Sequence, residues 1–91
     1  MDLQSREEAY PIYGIIESHE FSDMFERLVS DPRLRDQIKF AFEAELPLDP
    51  DKFERIEGTA VRRAMINCFP PLRLFFTVSE RTITLLQIHP L

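Results

Sequence analysis

The sequence predicts a small α+β domain in which a helix hairpin packs on one face of a mainly antiparallel sheet, in the order β-α-α-β-β-β. Three features of the chain lead to this. A short apolar run comes first; two Phe-rich helical segments then follow each other with almost no linker; and residues 60–90 divide into three β-rich runs with short connections. Ninety-one residues with 44% apolar side chains and eight Phe suit one core.

Residues 1–9 are polar and acidic and read as a flexible lead-in, leaving residues 10–91 as the domain. Ile12, Gly14 and Ile16 alternate with Tyr13 and Ile15 up to Glu17, which predicts the first strand. Ser18 is placed to cap a helix in which Phe21, Met24, Phe25, Leu28 and Val29 recur at helical spacing. Asp31 and Pro32 suit the N-cap and first position of a second helix. Its stripe is Leu34, Ile38, Ala41, Phe42 and Glu45, and Pro47 sets its latest end. Helices joined so tightly must fold back as a hairpin, pressing both stripes on one surface.

The stretch PLDPDKFERIEG reads as a loop with one helical turn around Lys52 to Ile56. AVRRAMINCF, LRLFFTV and ITLLQIHP follow as strands of an antiparallel meander. In the middle strand Leu72, Leu74, Phe76 and Val78 face one way and Arg73, Phe75 and Thr77 the other, so the helices should cover the Leu74 face and leave Arg73 on the open one. The last strand has no single apolar face: Ile83 and Leu85 lie on one parity, Leu86 and Ile88 on the other. Its register does not follow from pattern. Arg62 and Arg63 are adjacent in the preceding strand, so only one of them can share a face with Arg73.

Net charge is -5, which argues against a surface that coats nucleic acid generally. The charge is divided along the chain. Residues 1–57 carry fifteen Asp or Glu against seven Lys or Arg, whereas residues 58–91 carry Arg62, Arg63, Arg73 and Arg81 against Glu80 alone. Cys68 has no partner for a disulfide and sits in an apolar run, which suits a buried small side chain and a reducing compartment. The first ten residues hold no apolar signal core, and Arg73 interrupts the most apolar stretch, so a cytoplasmic protein without membrane contact is expected. No phosphate-binding loop, metal-ligand spacing or cofactor motif occurs, and no cofactor or metal is expected. The acidic cluster of Glu43, Glu45, Asp49, Asp51 and Glu54 is read as solvated surface.

The arrangement of a strand, a helix hairpin and a meander with an Arg in its middle strand resembles the RelE/ParE superfamily of toxins from type II toxin-antitoxin systems. LRLFFTV resembles the family's "yRvlY.v" strand, ERTITLLQIHP its "v.il.i.hr" strand, and LPLDPDKFERIEG its "l..dP....kl.G" link. The likeness runs from about Tyr10 to Leu91. It implies that Arg73 matches the strand Arg that contacts the scissile phosphate in mRNA-cleaving members, that His89 stands where many members carry His, and that Arg62, Arg63 and Arg81 supply target contacts. A guanidinium suits that role because it stays charged and offers a planar fork to two phosphate oxygens. It would oppose charge building up in the transition state. An imidazole can exchange a proton near neutrality.

The resemblance further implies a cognate antitoxin, and a target that is either mRNA on the ribosome or DNA gyrase. Oligomeric state is left open. Nuclease members continue past the position of Leu91 with Arg, Lys and a Tyr-containing segment, and here only Lys39 and Lys52 supply lysine. Those departures favour a gyrase-type toxin or an inactive descendant acting as an interaction module over an efficient endoribonuclease. Residue type alone also accounts for Arg73 as a solvated strand charge and for His89 as a frayed terminal residue.

Overall fold

A computed structural model of the chain describes residues 13–67 and 71–91. The expected lead-in over residues 1–9, Ile12 of the expected first strand, and Cys68 lie outside the described residues. The first strand, β1, covers Gly14–Glu17; helices α1, His19–Leu28, and α2, Pro32–Glu45, follow. A 3-10 turn at Pro50–Lys52 leads into β2, Glu54–Arg55, then β3, Arg62–Ile66, β4, Leu72–Ser79, and β5, Thr82–Pro90.

Both helices start where the caps allow. The Ser18 hydroxyl accepts from the Phe21 N–H at 3.1 Å, and the Asp31 carboxylate accepts from the Arg33 N–H at 3.0 Å, each satisfying an amide that the first turn leaves without a partner. The corner between the helices is closed by Arg35, whose guanidinium donates to the Val29 carbonyl at 2.7 Å. The apolar stripes of the hairpin meet in a cluster of three rings. Phe42 stands edge-on to Phe21 at 6.2 Å between centroids and tilted against Phe25 at 6.3 Å. All three are buried, together with Val29, Ile38 and Leu46. Burying each ring contributes on the order of 2–3 kcal/mol, so this cluster holds the helices to the sheet.

The described residues form one sheet with strand order β1-β5-β4-β3-β2. The meander is antiparallel as expected, while β1 runs parallel to β5, with Gly14 opposite Thr82 and Glu17 opposite Leu85. A parallel pair needs a long crossover, and the helix hairpin begins that connection. Ala64, Ile66, Leu72, Leu74, Phe76, Ile83, Leu85 and Ile88 form the covered face of the sheet, and all are buried. Among the described residues, no helix is long and apolar enough to cross a membrane.

The link before the meander differs from the expected helical turn around Lys52 to Ile56. The turn comes earlier, at Pro50–Lys52, and Glu54–Arg55 instead pair with β3 as a two-residue strand, with Glu54 opposite Arg63 and Arg55 opposite Arg62. Two forces set this. Pro50 supplies the fixed φ that seeds the turn. Beyond it, Phe53 packs edge-on against Phe76 at 5.8 Å while Arg62 binds the carbonyls of Asp51 and Phe53, at 3.2 and 2.8 Å, drawing the segment alongside β3. Gly58, at φ 80, then reverses the chain between β2 and β3.

Candidate functional site: the open face of the sheet

The parity break in the last strand resolves as a bulge, and the bulge builds the site. From Ser79↔Thr82 to Phe76↔Leu85 the two strands pair in step; then Phe75 faces Gln87, Leu74 faces Ile88 and Arg73 faces His89. Leu86 is therefore the extra residue. Two successive residues of β5 oppose one of β4, which lets Leu85 and Ile88 both enter the core despite their opposite parity. Without that insertion an alternating strand would send Ile88 outward and His89 under the helices.

Arg73 stands between two buried leucines, Leu72 and Leu74, on the face that the helices do not cover. Its cross-strand neighbours are Met65 on β3 and His89 on β5. One step along the same face, Phe75 lies between Arg63 and Gln87. These six side chains make a two-by-three patch in which directly opposed residues are about 5 Å apart at Cβ. The His89 ring meets Phe75 edge-on at 5.7 Å, and its Nε2 lies 3.1 Å from the Gln87 Oε1. The Gln87 amide in turn donates to the Glu20 carboxylate, at 3.0 Å.

The five sequence-predicted site residues separate into four groups. Arg73 and His89 are brought face to face. Arg63 shares their face but is paired across the sheet with Glu54, both partners being well exposed. Arg62 points to the helix side, where the carbonyls of Asp51 and Phe53 and the Asp51 carboxylate at 3.4 Å take up its guanidinium, so it is a structural clamp on the β2 segment. Arg81 sits exposed in the β4–β5 turn just past Ser79, which is six residues along β4 from Arg73, and is thus more than roughly 20 Å away. Among the described residues no carboxylate pairs with Arg73, so its fork is available to an anion.

No family model matches the chain, and no curated protein does. Among solved structures, the solution structure of the conserved hypothetical protein HP0894 from Helicobacter pylori is similar, with a TM-score of 0.63 over 87% of this chain and 94% of that one. The chain shares the fold of HP0894. Sequence identity is 19%, so the likeness speaks to fold alone.

A second feature adjoins the patch at the sheet edge. Because β1 stops opposite Leu85, no described strand pairs with the outer edge of β5 from Leu86 to Pro90. Ser18 covers only the start of it, its N–H donating to the Leu85 carbonyl at 3.0 Å and its hydroxyl to the Leu86 carbonyl at 3.4 Å. Between this edge and α1 lies an open groove of about 440 Å³, lined by Met24, Arg27, Leu28, Ile88, His89 and Pro90. His89 therefore borders both the patch and the groove. Sequence reasoning missed Gln87, Glu20 and Phe75 as parts of the site, because the residues that meet His89 depend on the position of the bulge.

Proposed function

We propose that this chain is a RelE/ParE-like toxin component of a type II toxin-antitoxin system, acting on its target through the open sheet face. One observation carries the reading: Arg73 stands on the uncovered face, directly opposite His89 and without a carboxylate partner among the described residues. A free guanidinium beside an imidazole is a chemically sensible pair for a phosphodiester, the first binding two oxygens and the second accepting or supplying a proton. The motif likeness of LRLFFTV and ERTITLLQIHP to the family supports the same assignment. An antitoxin would dock by laying an extended or helical segment across an apolar groove. The groove between α1 and β5 suits such a segment.

A second reading has its own support. Arg63 is neutralised by Glu54 and Arg62 is occupied by backbone carbonyls, so charge for a polyanion is sparse on this face. That favours a protein that keeps the fold as an interaction module without cleaving. Induced expression separates the two. Growth arrest by the wild type that disappears with Arg73→Ala supports the toxin, and transcript mapping with a gyrase supercoiling assay then identifies the target. Unimpeded growth of the wild type contradicts it.

A further inference from the structure

We infer that Glu20 and Gln87 are positioning residues that fix His89 as the Nε2–H tautomer, leaving Nδ1 as the ring nitrogen that works beside Arg73. The inference deepens the proposed function and rests on it for His89 having a role at the open face; the geometry itself does not. A carboxylate can only accept, so Gln87 must turn its NH2 group to Glu20, across the 3.0 Å contact. Its Oε1 is then the atom left facing His89. At 3.1 Å from that oxygen, Nε2 can only be the donor, because two acceptors would repel. The polarity of the whole chain is thus set at Glu20.

The chain also links two elements. Glu20 belongs to the first turn of α1, Gln87 and His89 to the part of β5 beyond the bulge. The edge-on contact with Phe75 restrains the ring from a second direction. Nδ1 has no partner among the described residues. A neutral His89 held this way keeps a lone pair on Nδ1, which can take a proton from a hydroxyl or water beside an anion bound by Arg73. An imidazole free to exchange tautomers would offer that lone pair only part of the time.

The chain contains just two histidines, and exposed His19 serves as the internal reference. Nitrogen-15 correlation spectra, recorded about two pH units above the ordinary histidine range, report the tautomer at each ring. In the wild type the ratio of Nε2–H to Nδ1–H should be roughly fivefold higher at His89 than at His19, the factor that one net hydrogen bond carries. Gln87→Ala should bring His89 to the His19 ratio. Glu20→Gln preserves shape but lets the amide of Gln87 reverse, and should lower the ratio partway. Equal ratios at the two rings of the wild type, or a His89 ratio unmoved by both substitutions, would overturn the inference. Should Gln87→Ala fail to fold, Glu20→Gln against the wild type decides. A wild type without toxicity removes the toxin reading but leaves this measurement standing.

Discussion

Phe42→Ala and Phe40→Ala, two residues apart on the same helix, should differ several-fold in cost. Phe42 is fully buried, with the rings of Phe21 and Phe25 within 6.3 Å of it, whereas Phe40 is 76% exposed. Truncating the buried ring removes its transfer free energy and leaves a cavity that two rigid neighbouring rings cannot collapse into, at a cost of roughly 3–5 kcal/mol. Domains of this size have a total stability of about 5–15 kcal/mol, so a large part of it is lost. The melting temperature should fall by roughly 12–40 °C, at about 4–8 °C per kcal/mol. Phe40→Ala should stay within about 0.5 kcal/mol of the wild type. Urea unfolding followed by circular dichroism measures both, with an unchanged m-value as the sign that the folded states are alike. Equal effects at the two positions, or a larger loss at Phe40, would mean that α2 presents its other face to the sheet.

The remaining predictions concern the sheet. Arg62→Ala should destabilise by about 1.5–3 kcal/mol, because two carbonyls lose a charged donor, while Arg63→Ala removes only an exposed ion pair and should cost under about 1 kcal/mol. Thermal melts of the two variants check this. Ile88→Asp puts an unpaired carboxylate into the core and should abolish cooperative folding, whereas His89→Asp, one residue on, should leave a folded protein with a native-like near-ultraviolet spectrum. The reverse result would move the bulge. Glu80 turns the β4–β5 hairpin at φ 56, a conformation that glycine adopts without a steric penalty. Glu80→Gly should therefore raise the melting temperature by a few degrees, and a clear fall would show that the turn is relaxed with Glu.

Much of this architecture was legible because local signals agreed with the tertiary outcome. The caps at Ser18 and Asp31, the tight hairpin link and the two-faced pattern of β4 each had a single physical reading, and the structure bears out all of them. The exposed face of Arg73 followed from the same alternation. What could not be read was set by contacts distant in sequence. Residues 54 and 55 form a strand because Arg62 and Phe76 hold the neighbouring segment, and no local propensity announces that. Parity conflict in β5 was visible as a conflict, yet its resolution at Leu86 depends on which residues β4 and the helices can accommodate. The Glu20–Gln87–His89 chain spans 67 residues at its first link and is invisible until that register is known. Helix residues expected in the core were partly misjudged for a related reason: Leu28 stays 37% exposed because it borders the groove.

Cross-strand proton contacts between β4 and β5, measured by NMR on the wild-type protein, test the open-face arrangement most directly. Backbone contacts should link Arg73 with His89 and Phe75 with Gln87, while the Arg73 side chain shows none to the rings of Phe21 or Phe42. A continuous register that sets Arg73 against Ile88, or an Arg73 side chain in contact with those rings, would separate the guanidinium from the imidazole and contradict the site.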